Sequence, residues 1–330
     1  MSDIIYSRLK DAELLKLREF CFNNWPGEHP LIHNEEMFDF YYRRNDGINI
    51  VAAYDEGEII GLCGFLVTNS GDTPDIFLSY ILSKKGAGFG ISLRLIETIR
   101  ELTNARTINC NNIRKKTGGI YEFLGYTVGD MSCYYRLNSN HKEYKLCRVK
   151  NIENLKIQSR QLQREDILSI KDLSSFPFEK YRDNRPYKDR EYFVKRYFEY
   201  PFFEYIVIKI YDNDKEALVV ARRIEYEESS MLRLVDFVGE RELIKESGLV
   251  LDQLIEENDV EYMDWYSYGT TPNDLYYAGF KSCNKEEGDI IPLYLSPPVL
   301  ENIDITVFSS DNKDFMMFRA DGDQDRPNLG

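Results

Sequence analysis

Apolar and polar residues alternate along this chain with two different periods, which predict strands and helices in succession. A period of two or a short continuous apolar run is typical of a strand, whereas apolar residues every three or four positions indicate an amphipathic helix. Strands are predicted at Ile4–Leu9, Ile48–Tyr54 and Glu58–Val67, and helices at Asp11–Phe22 and Glu35–Arg44. The second of these helices is unusually rich in aromatic residues.

One strand–loop–helix segment has features typical of a phosphate-binding site. A strand at Ile76–Leu82 precedes the glycine-rich loop Lys84–Gly90, and an amphipathic helix follows at Ile91–Leu102. Glycine lets the backbone turn sharply and approach a ligand closely. A helix N-terminus adds unpaired N–H groups and the positive end of its dipole. The loop therefore fits a phosphate or pyrophosphate, although a glycine-rich turn without a ligand produces the same pattern.

A second segment follows in the order that completes a recognisable pattern. A strand at Thr107–Cys110 ends beside Asn112, and a helix ends in the sequence YEFLGY at Tyr121–Tyr126. A further strand is predicted at Thr127–Leu137.

These two segments resemble the two signatures of the GCN5-related N-acetyltransferase (GNAT) family. Lys85–Gly90 reads K-x-x-G-x-G and is similar to the family's acyl-CoA loop, R/Q-x-x-G-x-G/A. Tyr121–Tyr126 reads Y-x-x-x-G-Y and is similar to the motif Y-x-x-x-G-F/Y, which follows an asparagine after the fifth strand. The resemblance covers residues 1–150. It implies an α/β (α+β) fold, with a mixed, mostly antiparallel sheet flanked by helices, and acetyl-CoA as co-substrate.

The resemblance also implies roles in the transfer of an acetyl group. Tyr121 would protonate the departing CoA thiolate, because an ordinary tyrosine pKa of about 10 suits that task; a tyrosine that only caps the apolar helix end is the alternative. Many family members carry a glutamate in the fourth strand that acts as the general base, and the strand Ile76–Leu82 has no glutamate. Asp75, at its entrance, is therefore the predicted base, unless a neutral amine attacks without one. The residues predicted to hold the cofactor are Ile81, Leu82, Lys85, Gly86, Gly88, Phe89, Gly90 and Asn112.

The acceptor site in this family lies partly between the first two helices and their connecting loop. His29, His33, Tyr41 and Tyr42 occupy that part of the chain and are candidate substrate contacts. Aromatic side chains that merely pack on the sheet are the alternative for the tyrosines.

The second half of the sequence repeats the plan without the phosphate loop. A helix is predicted from Gln161 and another at Glu240–Glu257, and Gly279-Phe280 matches Gly125-Tyr126. The loop before Glu240–Glu257 lacks the glycine spacing, and its glutamates would repel a pyrophosphate. We therefore predict two tandem GNAT-like domains: an acetyl-CoA-binding domain at 1–150 and a degenerate copy at 151–305. A C-terminal strand and acidic tail are predicted at 306–330.

Composition narrows the class of protein. The chain has 330 residues, of which 14% are aromatic, and a formal net charge of −14. This negative charge argues against binding a nucleic-acid backbone over a wide surface. The longest apolar stretches have strand length, so we expect no membrane span. The six cysteines show no metal-ligand spacing, and we expect reduced thiols, no metal and a cytoplasmic protein.

The acidic tail has three alternating aspartates, Asp321, Asp323 and Asp325. They match the start of a calcium loop, but the distal glutamate of an EF-hand is missing. A solvated tail is the second interpretation. The third is that the tail folds into the acceptor cleft between the two halves and holds an amine or sugar hydroxyls.

The leading hypothesis is an acetyl-CoA-dependent N-acetyltransferase acting on a small amine. A faint similarity to acetyltransferases of surface-polysaccharide pathways suggests an amino sugar as acceptor. The alternatives are an aminoacyl-tRNA-dependent transferase of the Fem type and a non-catalytic acetyl-CoA-binding module.

Overall fold

The computed structural model describes residues 4–25, 27, 29–87, 89–295, 297–311 and 314–327. Nearly all predicted elements of the first half are present. In chain order they are β1 (Ile5–Arg8), α1 (Leu14–Asn24), α2 (Pro30–His33), α3 (Glu35–Tyr42), β2 (Arg43–Arg44), β3 (Gly47–Ile48), β4 (Ile50–Asp55), β5 (Glu58–Val67), β6 (Asp75–Ser83), α4 (Phe89–Thr103), β7 (Thr107–Ile113), α5 (Gly118–Phe123), β8 (Thr127–Asp130) and β9 (Ser132–Leu137).

The second half contains a similar series. Its elements are β10 (Gln163–Asp166), α6 (Arg190–Tyr197), β11 (Ile206–Asp212), β12 (Lys215–Tyr226), β13 (Ser229–Gly239), α7 (Leu243–Glu246), α8 (Gly248–Glu257), β14 (Tyr262–Tyr268), α9 (Pro272–Tyr277), β15 (Lys281–Ser282), β16 (Thr306–Ser309) and β17 (Met317–Phe318). The helix predicted from Gln161 is wrong, because this segment forms edge strand β10. The single helix predicted at Glu240–Glu257 is two shorter ones, α7 and α8.

Two mixed sheets organise these elements, which confirms the predicted fold class. The first has the strand order β1-β4-β5-β6-β7-β16-β8, and the second has the order β10-β11-β12-β13-β14-β9-β15, with β17 beside β14. Within each sheet one pair is parallel, β6 with β7 and β13 with β14, and the other named pairs are antiparallel.

The two sheets exchange strands. β9 directly follows β8 in the chain, yet it pairs with β14 in the second sheet from Ser132–Ser267 to Leu137–Tyr262. The vacant position beside β8 is taken by β16, from the far end of the chain. Because Met131 alone separates β8 from β9, the chain cannot reverse into a hairpin, which needs a connection of about two residues. Strand pairing therefore crosses the boundary predicted at residue 150 in both directions.

The core is also shared. Helices α1 to α3 cover one face of the first sheet, where Leu17, Phe38 and Phe77 lie in a buried cluster that also includes Tyr266 and Met317 from the second half. On the other face, α4 and β-strand residues form a separate cluster with β16. A core built from both halves predicts that they unfold together.

Candidate functional site

A slot opens between β6 and β7 in the first sheet. Their parallel pairing runs from Asp75–Thr107 to Leu78–Cys110, after which β6 continues to Ser83 without further registered pairs to β7. The backbone groups of β6 beyond Leu78 that would face β7 are thereby available to a ligand. Ile81 and Leu82, two of the residues predicted to hold the cofactor, are half-buried at the end of β6.

A β-bulge in β6 accompanies the divergence. Leu78 pairs with Phe65 and Ile81 with Cys63, so that Ser79 and Tyr80 together face the single residue Gly64 on β5. An extra residue of this kind bends its strand and increases the local twist. Gly64 is required here, since a Cβ would lie 2.7 Å from Cε1 of Tyr42 and 2.8 Å from Oγ of Ser79. The hydroxyls of Tyr42 and Ser79 are 2.9 Å apart and hold α3 against the bulge.

The predicted phosphate loop leads from β6 into α4. Lys84, Lys85 and Gly86 are exposed, and Gly86 has a φ of +87°, which favours glycine. Gly88 lies outside the described residues, and Phe89 begins the helix. Gly90, in the first turn, is exposed, and nothing lies within 4 Å of a Cβ placed there. This open, glycine-lined start of a 15-residue helix fits an anionic phosphate group.

Tyr121 lies on the α4 side of the first sheet. Its ring stacks on Phe308 of β16 at 4.1 Å between centroids and more loosely on Tyr126 at 6.2 Å. Burial raises the pKa of the Tyr121 hydroxyl well above its usual value, so this hydroxyl is a weaker acid than an ordinary tyrosine. The stacking matches the packing alternative. The hydroxyl carries the proton that the acid role needs, as any tyrosine does at neutral pH, but its raised pKa does not favour the transfer.

Asp75 does not fit the role of a base. It is the first residue of β6 and lies at the opposite end from Leu82, seven residues or about 23 Å away at 3.3 Å per residue. Both carboxylate oxygens are occupied, by an ion pair with Arg106, by the hydroxyl of Thr107 at 2.8 Å and by the backbone N–H of Tyr187 at 2.6 Å. The side chain is fully buried. Asp75 joins the two halves of the molecule, and its buried, fully paired carboxylate is not placed to act as the base.

On the α1–α3 face, four side chains next to the slot contact one another, and we call this group the collar: Trp25, His29, Tyr80 and Arg114. The ring of His29 contacts Tyr80, in the bulge of β6, at 4.5 Å and Trp25 at 5.4 Å. From the other side of the slot, the guanidinium of Arg114, just after β7, lies 5.6 Å from the centre of the Trp25 ring. The collar therefore spans both strands that border the slot.

The remaining helix candidates divide into two groups. Tyr41 and Tyr42 are fully buried, and the Tyr41 hydroxyl lies 3.2 Å from the Tyr200 hydroxyl of the second half. The two tyrosines pack in the core, as the packing alternative predicts. They are not placed to contact an acceptor. His33 ends α2 and is half-buried, and its Nε2 atom has no hydrogen-bond partner among the described residues.

The C-terminal segment is buried between the halves and is not a solvated tail. Asp321 forms an ion pair with Lys188 at 2.6 Å, and Asp325 forms one with Arg222 at 2.7 Å. Burial raises the pKa of Asp321 to about 6. Burial opposes ionisation of Asp325 too, but Arg222, Arg319 and Arg196 outweigh it and lower its pKa to about 2.

These ion pairs correct two interpretations of the aspartates. Because Asp321 is paired with Lys188 and Asp325 with Arg222, the two carboxylates do not converge on a calcium ion. For the same reason they are not free to bind an acceptor. Asp323 accepts from the side-chain amide of Gln324 at 3.0 Å and forms an ion pair with Arg326 at 3.7 Å. Among the described residues no group of three or more His, Cys, Asp or Glu side chains could hold a metal ion.

The C-terminal segment also reaches the slot. The side-chain amide of Asn111 donates to the carbonyls of Phe318 and Asp321, each at 3.1 Å. The amide of Asn112, which has a φ of +67°, donates to Oε1 of Gln324 at 3.3 Å. Asn112, which is predicted to bind the cofactor, lies at the end of β7 in contact with the C-terminal segment.

The equivalent slot of the second half is filled by the protein itself. β13 and β14 pair from Leu232–Met263 to Leu234–Trp265, and beyond that point β17 pairs with β14 through Phe318 and Ser267. On the other side, Ala320 N donates to the Val235 carbonyl of β13 at 2.9 Å. Sequence reasoning missed both this insertion and the role of Trp25, since neither is marked by a local pattern.

The six cysteines are free thiols, as expected. Within the described ranges no helix is long and apolar enough to cross a membrane.

Comparison with protein-family models finds no match. Comparison with curated proteins likewise finds none. Solved structures, in contrast, are similar over nearly the whole chain. A GCN5-related N-acetyltransferase from Anabaena variabilis has a TM-score of 0.56 at 11% identity, covering 93% of this chain and 72% of that one. One from Kribbella flavida has a TM-score of 0.54 at 11% identity, covering 93% and 70%.

A probable N-acyltransferase from Enterococcus faecalis is similar to the same extent. Its TM-score is 0.53 at 11% identity, and the match covers 93% of this chain and 72% of that one. At this level of identity the likeness concerns the fold. The chain has the GNAT fold across both halves, as the two sequence signatures predicted for the first.

Proposed function

We propose that this protein is an acyl-CoA-dependent N-acyltransferase that uses the slot between β6 and β7 and transfers an acetyl group to a small amine. The observation that carries the proposal is the contrast between the two slots. The first diverges beyond Leu78 and ends at a glycine-lined helix start, whereas Met317–Ala320 fills the second. One acyl-CoA per chain follows from this contrast.

The residues around the first slot fit the steps of acyl transfer. Acyl-CoA supplies a thioester; the amine nitrogen bonds to its carbonyl carbon as the C–S bond breaks. The first turn of α4 would hold the pyrophosphate, and free N–H groups of β6 would stabilise the charge on the carbonyl oxygen. Tyr121 would donate its proton to the departing sulfur, and the proton that the amine nitrogen loses would pass to solvent, from which the Tyr121 hydroxyl is restored. The acceptor would enter through the collar of Trp25, His29, Tyr80 and Arg114, on the face opposite α4.

The position of Gly90 offers a direct test of cofactor binding. The helix dipole stabilises a carboxylate in the first turn of a helix, and the space around Gly90 is open. Gly90→Glu is therefore expected to fold. The same carboxylate would repel a pyrophosphate. In calorimetry we expect one acetyl-CoA site per chain, weakened at least about tenfold, or roughly 1.4 kcal/mol, by Gly90→Glu. Gly90→Ala is the matched control and should bind normally.

Two results would contradict the proposal: two sites per chain, or equal affinity in both Gly90 variants. The acceptor class is tested separately, by measuring CoA release with a panel of amines that includes amino sugars and their nucleotide-linked forms. Release with an amine, but not with water, distinguishes a transferase from a binding module.

A further inference from the structure

Two of the six cysteines lie opposite each other on neighbouring strands of the second sheet. The antiparallel pairing of β9 with β15 sets Tyr134 against Ser282. One position beyond β15, Cys283 faces Cys133, and the backbone N–H of Cys283 donates to the Cys133 carbonyl at 2.9 Å. Residues that are opposite in an antiparallel pair direct their side chains to the same face of the sheet. The two thiols are therefore neighbours.

The spacing of such a pair suits a disulfide bond. Cα atoms that face each other across a hydrogen-bonded antiparallel pair are about 5.5 Å apart. Disulfides join Cα atoms that are about 4.4–6.8 Å apart. Cys133 and Cys283 also pack against the same apolar cluster, and each thiol alters the pKa of the other. The backbone thus already has the separation that the bond requires.

These two thiols are also the accessible ones. Cys133 and Cys283 are half-buried, whereas the other four cysteines are buried. A hydrogen bond with the Cys133 thiol lowers the pKa of Cys283 against the opposing effects of burial and Asp289, and burial raises the pKa of Cys133. Because the thiolate is the reactive form of cysteine, Cys283 is the better nucleophile of the pair.

We propose that Cys133 and Cys283 form a reversible disulfide when a peroxide oxidises the protein, and that this bond fixes β9 to the edge of the second sheet. The site lies beyond the proposed acyl transfer and does not depend on it. A reactive, accessible cysteine beside a second cysteine is the arrangement found in redox-sensing proteins.

The oxidation proceeds in two steps. The Cys283 thiolate attacks one oxygen of the peroxide, so that an S–O bond forms and the O–O bond breaks; the other oxygen leaves as hydroxide and takes a proton from solvent. The Cys133 sulfur then attacks the sulfenic acid on Cys283, the S–S bond forms, and the hydroxyl leaves as water with the Cys133 proton. The two sulfurs lose two electrons in total, and the peroxide gains them.

The bond would close a long loop of the chain. Cys133 and Cys283 are 150 positions apart in the sequence. It would also attach β9, the strand that comes from the first half, to β15 at the edge of the second sheet. A link across a long loop stabilises a protein mainly by lowering the entropy of the unfolded chain. The oxidised protein should therefore be more stable than the reduced one.

Peptide mapping without reduction tests the bond directly. Reduced protein is treated with hydrogen peroxide, digested and analysed by mass spectrometry beside an untreated sample. We expect one cross-linked peptide pair, which joins Cys133 to Cys283, and a fall from six free thiols to four. Dithiothreitol should restore all six. Six remaining thiols, a different pairing, or sulfinic acid on Cys283 beside a free Cys133 would each overturn the proposal.

Serine variants test the order of the two steps. In Cys133→Ser, oxidation of Cys283 should stop at the sulfenic acid, which dimedone traps, and in Cys283→Ser the Cys133 thiol should stay reduced. Cys147→Ser removes a cysteine from the same apolar cluster and is the matched control. This variant should still form the cross-link. Dimedone labelling of Cys133 in Cys283→Ser would overturn the assignment of Cys283 as the nucleophile.

Urea denaturation measures the effect of the bond on the fold. Peroxide-treated wild type should have a higher urea midpoint than reduced wild type, whereas treated and reduced Cys283→Ser should have the same midpoint. Each variant is compared with itself, so any loss of stability from the substitution cancels. Equal midpoints in a wild-type sample whose cross-link has been mapped would overturn the proposed attachment of β9.

Discussion

Tyr121 has a hydroxyl that could donate a proton and a ring that packs on Phe308, so that its two functions can be separated by substitution. Tyr121→Phe preserves the stacked ring and removes the acid. We expect kcat for acetyl transfer to fall on the order of 10²-fold, the usual contribution of a general acid. Acetyl-CoA affinity should hardly change, because the lost interaction forms mainly in the transition state.

Tyr126→Phe is the matched control for this prediction. Tyr126 stacks in the same group of rings, and its hydroxyl contacts Arg100 at 3.4 Å. Single-turnover measurements should separate the two variants. If both retain wild-type rates, Tyr121 only packs the helix end.

The bulge that shapes the slot requires a glycine at position 64, because a single added methyl group would clash there. In Gly64→Ala the new methyl group would lie within 2.8 Å of atoms of both Tyr42 and Ser79, and neither ring nor bulge can move freely. We expect the free energy of unfolding to fall by about 1–3 kcal/mol, the usual cost of overpacking. Urea denaturation measures it. Gly119→Ala, where nothing lies within 4 Å of the added methyl, should not be destabilised.

At the scale of elements, the exchange of β9 and β16 ties the two sheets into one folding unit. In the second sheet β9 directly follows β8 of the first sheet, and in the first sheet β16 lies between β15 and β17 of the second in chain order. Each exchanged strand is paired on both sides, so the two sheets cannot separate without breaking strand pairs. We expect the halves to unfold in one cooperative transition, although the chain is long enough for two domains.

The two tryptophans permit a test, since Trp25 lies in the first half and Trp265 in the second. Trp265→Phe leaves Trp25 as the fluorescent reporter of the first half, and Trp25→Phe leaves Trp265 for the second. Within each variant, the urea midpoint from fluorescence should coincide with the midpoint from circular dichroism, which reports on both sheets. Separate midpoints would show that the halves are independent domains.

At the scale of the whole molecule, buried ion pairs attach the C-terminal segment to the second half, and hydrogen bonds from Asn111 and Asn112 attach it to the first. Asp325 accepts from Arg222 and lies within the field of Arg196 and Arg319, which lowers its pKa to about 2. Asp325→Asn leaves Arg222 buried without its partner. We expect a loss of about 3 kcal/mol at pH 7, in the range for breaking a buried pair. Asp46→Asn, at an exposed pair with Arg8, should lose less than about 1 kcal/mol.

The same variant predicts a pH dependence. The pKa of Asp325 is about 2 in the folded protein and about 3.9 in an unfolded chain. Its contribution to stability is therefore fully present above pH 4 and is lost as the pH falls towards 2. The difference in urea midpoint between wild type and Asp325→Asn should narrow over that window. A constant difference would mean that the Asp325 charge does not stabilise the fold.

The sequence by itself determined the local structures on which the site depends. Glycine spacing and helical period identified the loop and α4, and Tyr121–Tyr126 marked the end of α5, because turns, caps and amphipathic faces depend on residues close together in the chain. These patterns also determined the GNAT fold of the first half and the absence of the glycine loop from the second.

Only the tertiary structure decided which distant segments meet. Asp75 is paired through Arg106 and Tyr187, and the tail aspartates through Lys188 and Arg222, so their roles depend on partners that no local pattern identifies. The strand exchange and the insertion of β17 likewise bring together residues more than one hundred positions apart in some pairs. Whole strands compete for the same positions in a sheet, and this competition decides which distant strands pair. The period of apolar residues in the sequence specifies that a strand forms but not which neighbour it pairs with.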